Sequence, residues 1–325
     1  MMNVHGGADA LGVPAWDFST NANACGPCPA ARVAVQQADA SRYPDPEYTA
    51  LRASIAAFHA VDAARVVLAV SASEFMARVT AWVAREGGRR VWWPEFAYAD
   101  CAAAASAWRL DRAAEVGVAD LAWLCEPSSP LGGAEPLAKR VTATGAIVVL
   151  DRAYEPLRLQ GQCSLHGDAL DRVWQLWTPN KALGLTGVRG AYAIAPLRAQ
   201  GQARELDRLA PSWPLGAHAV AMLQAWVSTV AQDWLAQSRD QLREWKSLQR
   251  ELMEELGWRC LPSDANYFCA AAPLAIDAVA LRAGGIKLRD TRSFGLPGHW
   301  RLSVQSPHAQ SVLRVALLAQ RETAT

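Results

Sequence analysis

The chain has 325 residues, and its 32 Lys and Arg residues against 31 Asp and Glu give a net charge of +1. This length suits a large domain with a smaller one. Because the positive and negative charges nearly cancel, the chain has no strong electrostatic attraction to nucleic acid or to a membrane surface. Neither is therefore expected as a partner. No eighteen-residue apolar run and no leader-like N-terminus is present, so we expect a cytoplasmic protein that acts on a small molecule.

Seven cysteines are present, and five of them are scattered among apolar residues, as is typical of reduced core thiols. The other two, Cys25 and Cys28, form the sequence CGPC, which on its own suggests a thioredoxin-type redox pair. That chemistry needs a buried strand before the first cysteine, whereas the polar stretch DFSTNANA precedes it here. We therefore favour an ordinary turn over a redox site.

Six apolar runs predict strands in the first two thirds of the chain, at residues 65–70, 90–93, 121–125, 146–151, 173–177 and 191–195. Helical patterns at residues 74–86, 97–108 and 135–144 lie between them. Runs that are apolar on both faces and separated by helices predict an α/β fold with a mostly parallel central sheet flanked by helices.

After residue 214 the pattern predicts one long helix from 217 to about 256. Strands at 265–270 and 300–304 and a helix at 309–320 then suit a smaller α/β domain. We expect an N-terminal segment (1–40) that packs with the small domain, a large cofactor-binding domain (41–230) and a small C-terminal domain (231–325).

Ligands bind beyond the carboxyl ends of parallel strands, so polar residues after each predicted strand are candidates for a site. Asp151 ends one strand, where a carboxylate can pair with the ring nitrogen of a pyridine cofactor, and Tyr154 follows three residues on. Read alone, Asp151 could equally cap the next helix.

Lys181 lies in a glycine-containing loop between two predicted strands. Most lysines are solvated, and Lys181 on its own could be one of them. Its neighbours argue otherwise, because Thr178 and Arg189 could both donate hydrogen bonds to one phosphate group. The interpretation that we favour is a Schiff base between Lys181 and pyridoxal phosphate, with an amino acid as the substrate.

The segment SASE at residues 71–74 follows a strand and opens a helix. Its N–H groups around Ala72 and Ser73 could bind the same phosphate, although a simple helix cap explains the segment equally well. Phe96 follows the strand at 90–93 and is predicted to stack on a planar cofactor ring.

These segments together resemble the aspartate-aminotransferase superfamily of pyridoxal-phosphate enzymes, in the branch of histidinol-phosphate aminotransferase and threonine-phosphate decarboxylase. Around the Schiff-base lysine that family reads SxSKxxGLxGLRxGY, which is similar to residues 178–192, and its Asp-x-x-Tyr pattern matches residues 151–154. The resemblance covers nearly the whole chain. It implies the aspartate-aminotransferase fold and pyridoxal 5'-phosphate as the cofactor.

The resemblance also implies roles for residues outside the central sheet. Tyr43, in the sequence RYPDP, matches a tyrosine that reaches the cofactor phosphate of a partner subunit, which implies a homodimer. Arg301 matches the arginine that binds the substrate carboxylate, with Asn23 beside it. Apart from the resemblance, a basic cluster of Lys287, Arg289 and Arg292 could bind a substrate phosphate, or it could be a solvated face.

Four segments resemble threonine-phosphate decarboxylase most closely. They are the HGG motif at residues 5–7 and the stretches at residues 17–23, 262–266 and 289–297. They make His5 a candidate substrate contact and favour decarboxylation of threonine phosphate in cobalamin biosynthesis. The alternative is a class I/II aminotransferase similar to histidinol-phosphate aminotransferase, since the sequence does not determine which bond at the substrate's Cα breaks.

Three positions depart from the family pattern. Ser129 replaces the asparagine that binds the ring hydroxyl of the cofactor, and Ala8 and Gly216 replace asparagines of the decarboxylase segments. These changes leave the substrate open and suggest a third possibility, a protein of this fold that binds without catalysis. The retained Asp151 and Lys181 argue against that possibility. The six histidines show no ligand spacing, so no metal site is predicted.

Overall fold

A seven-stranded sheet forms the centre of the chain in the computed structural model, which describes residues 6–324. The strands are β1 (Trp16–Asp17), β2 (Val66–Ala69), β3 (Arg90–Trp92), β4 (Asp111–Arg112), β5 (Leu121–Cys125), β6 (Ile147–Asp151), β7 (Trp174–Trp177), β8 (Ala191–Ile194), β9 (Arg259–Cys260), β10 (Tyr267–Ala271), β11 (Ile286–Lys287), β12 (Arg289–Asp290) and β13 (Trp300–Ser303). The helices are α1 (Pro29–Gln36), α2 (Thr49–His59), α3 (Ala72–Arg85), α4 (Ala99–Ala107), α5 (Ala138–Val141), α6 (Gln200–Arg208), α7 (Ala217–Trp226), α8 (Thr229–Glu255), α9 (Ala278–Ala283) and α10 (Pro307–Ala324).

The strands of the central sheet follow the order β2-β8-β7-β6-β5-β3-β4. β8 is antiparallel to both of its neighbours, and the other pairs are parallel. The predicted α/β class and the mostly parallel sheet are therefore confirmed, and each of the six predicted strands is present.

Apolar layers cover both faces of this sheet, as its uninterrupted apolar strands require. One layer packs α3, α4 and α6 against the sheet around Phe75 and Trp174. On the opposite face α1, α2 and α7 pack around Tyr192 and Trp226. Buried on both sides, the sheet exposes only its ends, and its carboxyl end is available for a site.

A four-stranded antiparallel sheet, β12-β13-β10-β9, lies in the C-terminal part of the chain and packs with α9 and α10 around Phe268. β1 of the N-terminal segment pairs with β11 there, whereas α1 of the same segment packs on α7. α8 runs continuously from the core of the large sheet, at Leu235, to that of the small sheet, at Met253. The predicted domain limits stay a prediction.

The single long helix predicted at 217–256 was wrong, because the chain turns between α7 and α8 at Val227 and Ser228. The hydroxyl of Ser228 accepts a hydrogen bond from the N–H of Ala231 and so caps α8. The predicted helix at 135–144 is also shorter than expected, since only Ala138–Val141 is helical.

Candidate active site

A cavity of about 150 Å³ lies at the carboxyl edge of the central sheet. Strand register aligns Asp151 with Cys125 on β5 and with Leu176 on β7 at this edge. Because β8 runs antiparallel to β7, the residues that precede it, including Arg189, lie at the same edge. The topology thus brings Asp151, Thr178, Lys181 and Arg189 into one cavity, as the sequence predicted.

Lys181 and Asp151 are oppositely charged groups that both line this cavity. The Nζ atom of Lys181 lies 5.3 Å from the ring centre of Tyr154. Asp151 is buried, and its Oδ1 atom accepts a hydrogen bond from the N–H of Ala153 at 2.9 Å. Burial raises the pKa of Asp151, while the backbone hydrogen bond and the charge of Lys181 oppose that rise. A buried carboxyl of this kind favours a cationic ligand.

The same cavity also contains hydrogen-bond donors for an anion. Ala72 and Ser73 form the first turn of α3, where N–H groups without helical partners point out of the helix. The hydroxyl of Thr178 is buried and has no hydrogen-bond partner among residues 6–324. With the guanidinium of Arg189, these groups match the donor set that a phosphate monoester requires.

Phe96, the predicted stacking residue, does not line the cavity. Its ring lies beside Gly295, and Tyr98, two residues further on, takes the expected place. Tyr98 directly precedes α4 and hydrogen-bonds with Ser73, which holds its ring over the first turn of α3. Burial, together with the charge of Asp100, raises the pKa of Tyr98 to about 12.

A second cavity of about 400 Å³ adjoins the first one and shares Lys181, Ser129 and Arg189 with it. Arg289 on β12 and Arg301 on β13 line it and are direct cross-strand partners. Both guanidinium groups lie over the ring of Phe294, at 4.9 and 5.2 Å from its centre. Two like charges opposite each other in a sheet repel, so this cavity favours an anion.

Neither arginine of this pair has a carboxylate partner in the part of the chain that the structure describes. Arg301 donates to the hydroxyl of Ser129 at 3.2 Å and to the carbonyl of Ser19 at 3.1 Å, and Arg289 donates to the hydroxyl of Ser293. Burial, and then the charge of Arg301, lowers the pKa of Arg289. The two positive charges are therefore left for a ligand to neutralise.

The rest of the predicted basic cluster is not available for this purpose. Lys287 forms an ion pair with Asp9, and Arg292 forms one with Asp290 on the surface. His5 lies outside the described residues.

Asn23 and Tyr43 also lie away from both cavities. The amide of Asn23 donates to the carbonyl of Ala182 and accepts from the N–H of Cys25, so it ties the N-terminal segment to the lysine loop. Tyr43 is 77% exposed and stacks on Trp213 at 4.5 Å between ring centres. In a single chain Tyr43 thus reaches no site of its own.

Several polar residues that line the cavities were not predicted as site residues, and three of them are Tyr98, Asn180 and Asn21. Tyr98 and Asn180 line both cavities, and Asn21 lines the larger one. Asn180 directly precedes Lys181, which was a signal for it. Asn21 lies two residues before the predicted Asn23, in a turn where the sequence does not reveal side-chain direction.

The CGPC segment supports the lysine loop and is not built as a redox pair. The N–H of Cys28 donates to the carbonyl of Leu183 at 2.8 Å, and the side chain of Cys28 is fully buried in the core. Burial raises the pKa of Cys25, whereas a reactive thiol needs a lowered pKa.

Residues 14–319 match the family model of the class I and II aminotransferases, and the chain belongs to this family. It is 29% identical to histidinol-phosphate aminotransferase of Roseobacter denitrificans, over 91% of this chain and 87% of that protein. Membership of the family confirms the resemblance seen in the sequence, the prediction of an enzyme and pyridoxal 5'-phosphate as its cofactor.

Solved structures confirm the fold. Histidinol-phosphate aminotransferase of Sinorhizobium meliloti, in complex with pyridoxal-5'-phosphate, superposes with a TM-score of 0.77 at 21% identity, over 94% of this chain and 90% of that one. L-threonine-O-3-phosphate decarboxylase of Porphyromonas gingivalis gives a TM-score of 0.78 at 18% identity, over 94% of this chain and 99% of that one. Both reactions named in the sequence analysis thus occur on this fold.

Within residues 6–324 no group of His, Cys, Asp and Glu is arranged to hold a metal ion. Over the same residues, no helix has the length and apolar character needed to cross a membrane.

Proposed function

We propose that the protein is an aminotransferase that takes its amino group from an amino acid or amino phosphate, with histidinol phosphate as the first candidate. The observation that carries this proposal is the cross-strand pair Arg289 and Arg301, which is buried, has no carboxylate partner among residues 6–324 and lines the same cavity as Lys181. A substrate with an anionic group beyond the reacting carbon would neutralise this pair.

The residues of the smaller cavity fit pyridoxal phosphate by their chemistry. The first turn of α3 around Ala72 and Ser73, together with Thr178 and Arg189, would hold the phosphate. Asp151 would hold the proton on the ring nitrogen, which relieves the cost of its own burial. The ring would lie near Tyr154, Tyr98 and Ser129, which line the same cavity.

When bound, the cofactor supplies an electron sink for the bond that breaks at the substrate's Cα. Lys181 would hold the cofactor covalently at rest. Once the substrate amine displaces it, its Nζ atom would be the base that takes the proton from Cα and passes it to the cofactor. Arg301 and Arg289 would together bind the anionic group of the substrate, which is a phosphate in histidinol phosphate, and this fixes the substrate before the proton moves.

Tyr43 fits a role in a homodimer. An exposed tyrosine that is stacked and held outside its own chain's cavities can reach the cofactor phosphate of a second copy. This contact would make the active site a shared one, as the family resemblance implies.

The sequence favoured decarboxylation of threonine phosphate, and the comparisons support the alternative better. The relative from Roseobacter is named an aminotransferase, whereas the decarboxylase is a neighbour in fold at 18% identity. Transamination is therefore the first candidate, and decarboxylation is the second one that the experiment must separate from it.

The test is to incubate the cofactor-loaded protein with histidinol phosphate and 2-oxoglutarate, and separately with threonine phosphate. Formation of glutamate in the first mixture is expected, and its loss in Arg301→Leu would support the assigned anion site. Release of CO₂ from threonine phosphate without any glutamate in the first mixture would reverse the ranking.

A further inference from the structure

Tyr43 and Trp213 form an aromatic pair on the surface, although they lie far apart in the sequence. Their rings stack at 4.5 Å between centres, with an angle of 25° between their planes. The indole N–H of Trp213 also donates to the carbonyl of Pro44 at 3.1 Å. Tyr43 stays 77% exposed and Trp213 42% exposed. The pair therefore adds little to the buried core of its own chain.

A second contact joins the same two segments. The hydroxyl of Tyr48 donates to the carbonyl of Leu215 at 2.8 Å and accepts from the N–H of Leu215 at 3.0 Å. Both of these residues are buried. The segment that contains Tyr43 and the segment that contains Trp213 are thus fixed to each other at two points.

The backbone of this double contact is strained. Trp213 and Tyr48 both adopt left-handed conformations, with φ angles of 48° and 51°. Bulky residues rarely adopt such angles, which persist only where surrounding contacts hold them and which are concentrated at functional sites. Because the strained segments carry an aromatic pair that stays exposed, we expect the pair to serve more than the packing of its own chain.

The backbone that follows Tyr43 limits the freedom of this residue. Pro44 comes next, and a residue before proline is restricted to extended conformations. The carboxylate of Asp45 then accepts a hydrogen bond from the N–H of Thr49 at 2.7 Å, at the start of α2. The freedom that remains is that of the Tyr43 side chain, and Trp213 covers one face of its ring.

We propose that Trp213 is a positioning residue, which holds Tyr43 in the orientation in which its hydroxyl enters the cofactor cavity of a second copy. The inference rests on the proposed function, because it takes the active site to be shared within a homodimer. Tyr and Trp are enriched at interfaces between chains, where a pair that is exposed in one chain becomes covered. Cofactor binding in one copy therefore depends on Trp213 of the other copy.

The first test measures the affinity of the cofactor-free protein for pyridoxal phosphate, and sedimentation measures its oligomeric state. Tyr43→Phe removes one hydrogen bond to a charged group and should weaken the affinity about 10-fold. Trp213→Leu removes the stacking ring and should weaken it by about the same factor. The double variant should bind no more weakly than either single one, because Trp213 acts only through Tyr43. All three variants should remain dimers.

Trp213→Phe and Trp108→Leu are the matched variants. Trp213→Phe keeps a ring that can stack, so its affinity should stay within about threefold of the unchanged protein. Trp108, at the end of α4, is 49% exposed, and Trp108→Leu should change neither affinity nor sedimentation. A loss of affinity that the phenylalanine ring restores belongs to the stack with Tyr43 and not to a general loss of structure.

Hybrid dimers show in which chain Trp213 acts. One chain carries Lys181→Ala, so only the other chain gives the absorbance band of the lysine-bound cofactor, and the band reports on a single site. Trp213→Leu is placed either in the chain with Lys181→Ala or in the chain with intact Lys181. Cofactor binding should be about 10-fold weaker in the first arrangement and unchanged in the second, because Tyr43 of one chain serves the site of the other.

The inference is overturned if Trp213→Leu binds the cofactor as tightly as the unchanged protein, or if Trp213→Phe binds it as weakly as Trp213→Leu. It is also overturned if the effects of Trp213→Leu and Tyr43→Phe add, if the second hybrid arrangement loses affinity, or if the unchanged protein sediments as a monomer. Glutamate formation from histidinol phosphate would in each case still support the proposed transamination. Conversely, cofactor affinity that depends on Trp213 across the dimer, in a protein that forms no glutamate, would contradict transamination alone.

Discussion

Two polar clusters meet at the end of β7, and they differ in whether their hydroxyl groups are paired. Thr178 belongs to the cofactor cavity, where its hydroxyl has no partner among residues 6–324. The preceding residue, Trp177, packs on the other face beside His59 and Tyr192. There the hydroxyl of Tyr192 bonds to Nε2 of His59 at 2.8 Å and accepts from the indole N–H of Trp226 at 3.0 Å.

This difference separates a ligand site from a structural cluster. A polar group with internal partners stabilises the fold, whereas several unpaired groups that converge on one cavity are left for a ligand. An unpaired atom alone is not enough, because among residues 6–324 the indole nitrogens of Trp123, Trp174 and Trp177 also have no partner, although these side chains pack in the core. Thr178, Asn21 and Arg301 differ from those tryptophans because their side chains line the two adjoining cavities, where a ligand can pair with them.

Among the substitutions that test the distinction between ligand site and structural cluster, the largest effect is expected for Lys181. Lys181→Ala removes the base and the covalent anchor, so turnover should fall by about 10⁴-fold or more. The fold should persist, since Lys181 makes no ion pair within the described residues. The measurements are glutamate formation and the absorbance band of the lysine-bound cofactor, which should disappear. Retained turnover would show that the catalytic base lies elsewhere.

Asp151→Asn is expected to have the next largest effect. It keeps the shape of the side chain and removes the negative charge that would hold a proton on the cofactor ring, so kcat should fall on the order of 10³-fold. Because burial raises the pKa of Asp151, the cofactor-free variant should be at least as stable as the unchanged protein in urea unfolding. A variant with unchanged kcat would remove Asp151 from the proposed site.

The structural cluster is tested at His59. Burial, together with the charge of Arg152, lowers the pKa of His59 to about 4 from its ordinary 6.5. Between these values the unfolded chain binds the proton more readily, so His59's contribution to stability is present above pH 6.5 and lost as the pH falls towards 4. The loss should be on the order of 3 kcal/mol.

Urea unfolding at pH 7.5, 6 and 5 measures this dependence. His59→Phe should remove this pH dependence and leave cofactor affinity unchanged. It should lower stability at pH 7.5 by about 1 to 3 kcal/mol, because the hydroxyl of Tyr192 loses its hydrogen-bond partner at His59. A large loss of cofactor affinity would show that the two clusters are not independent.

The predicted site residues that the structure brings together lie in local sequence patterns. Asp151 ends a strand, and Thr178, Lys181 and Arg189 lie within twelve residues of one another, so strand direction alone predicts that they meet. The same applies to the fold, whose strands are short apolar runs buried on both faces. Local pattern was misleading at Phe96, because the turn before α4 presents Tyr98 to the cavity instead.

The outer wall of the site depends on contacts between distant segments, which the sequence pattern does not reveal. Asn21 and Arg301 meet through the carbonyl of Ser19, 282 residues from the arginine, and only the packed fold shows which of two nearby asparagines has a free amide. Arg301 itself was predicted by family resemblance. Its cross-strand neighbour Arg289 was proposed from a run of basic residues of which two prove to be paired elsewhere.

The smallest effect is expected for Thr178→Val, and this substitution compares an unpaired hydroxyl with a paired one most directly. Thr178→Val removes a hydroxyl that has no internal partner, so the free energy of unfolding of the cofactor-free protein should change by less than about 1 kcal/mol. Its affinity for pyridoxal phosphate should fall about 10-fold, the equivalent of one hydrogen bond to a charged group.

Thr80→Val in α3 is the matched control. Thr80 is equally buried, but its hydroxyl donates to the carbonyl of Met76 at 2.7 Å. Loss of that bond should lower the free energy of unfolding by about 1 kcal/mol and leave cofactor affinity unchanged. If both variants lose stability and neither loses affinity, the hydroxyl of Thr178 serves the fold, and unpaired atoms at this edge of the sheet do not mark the cofactor site.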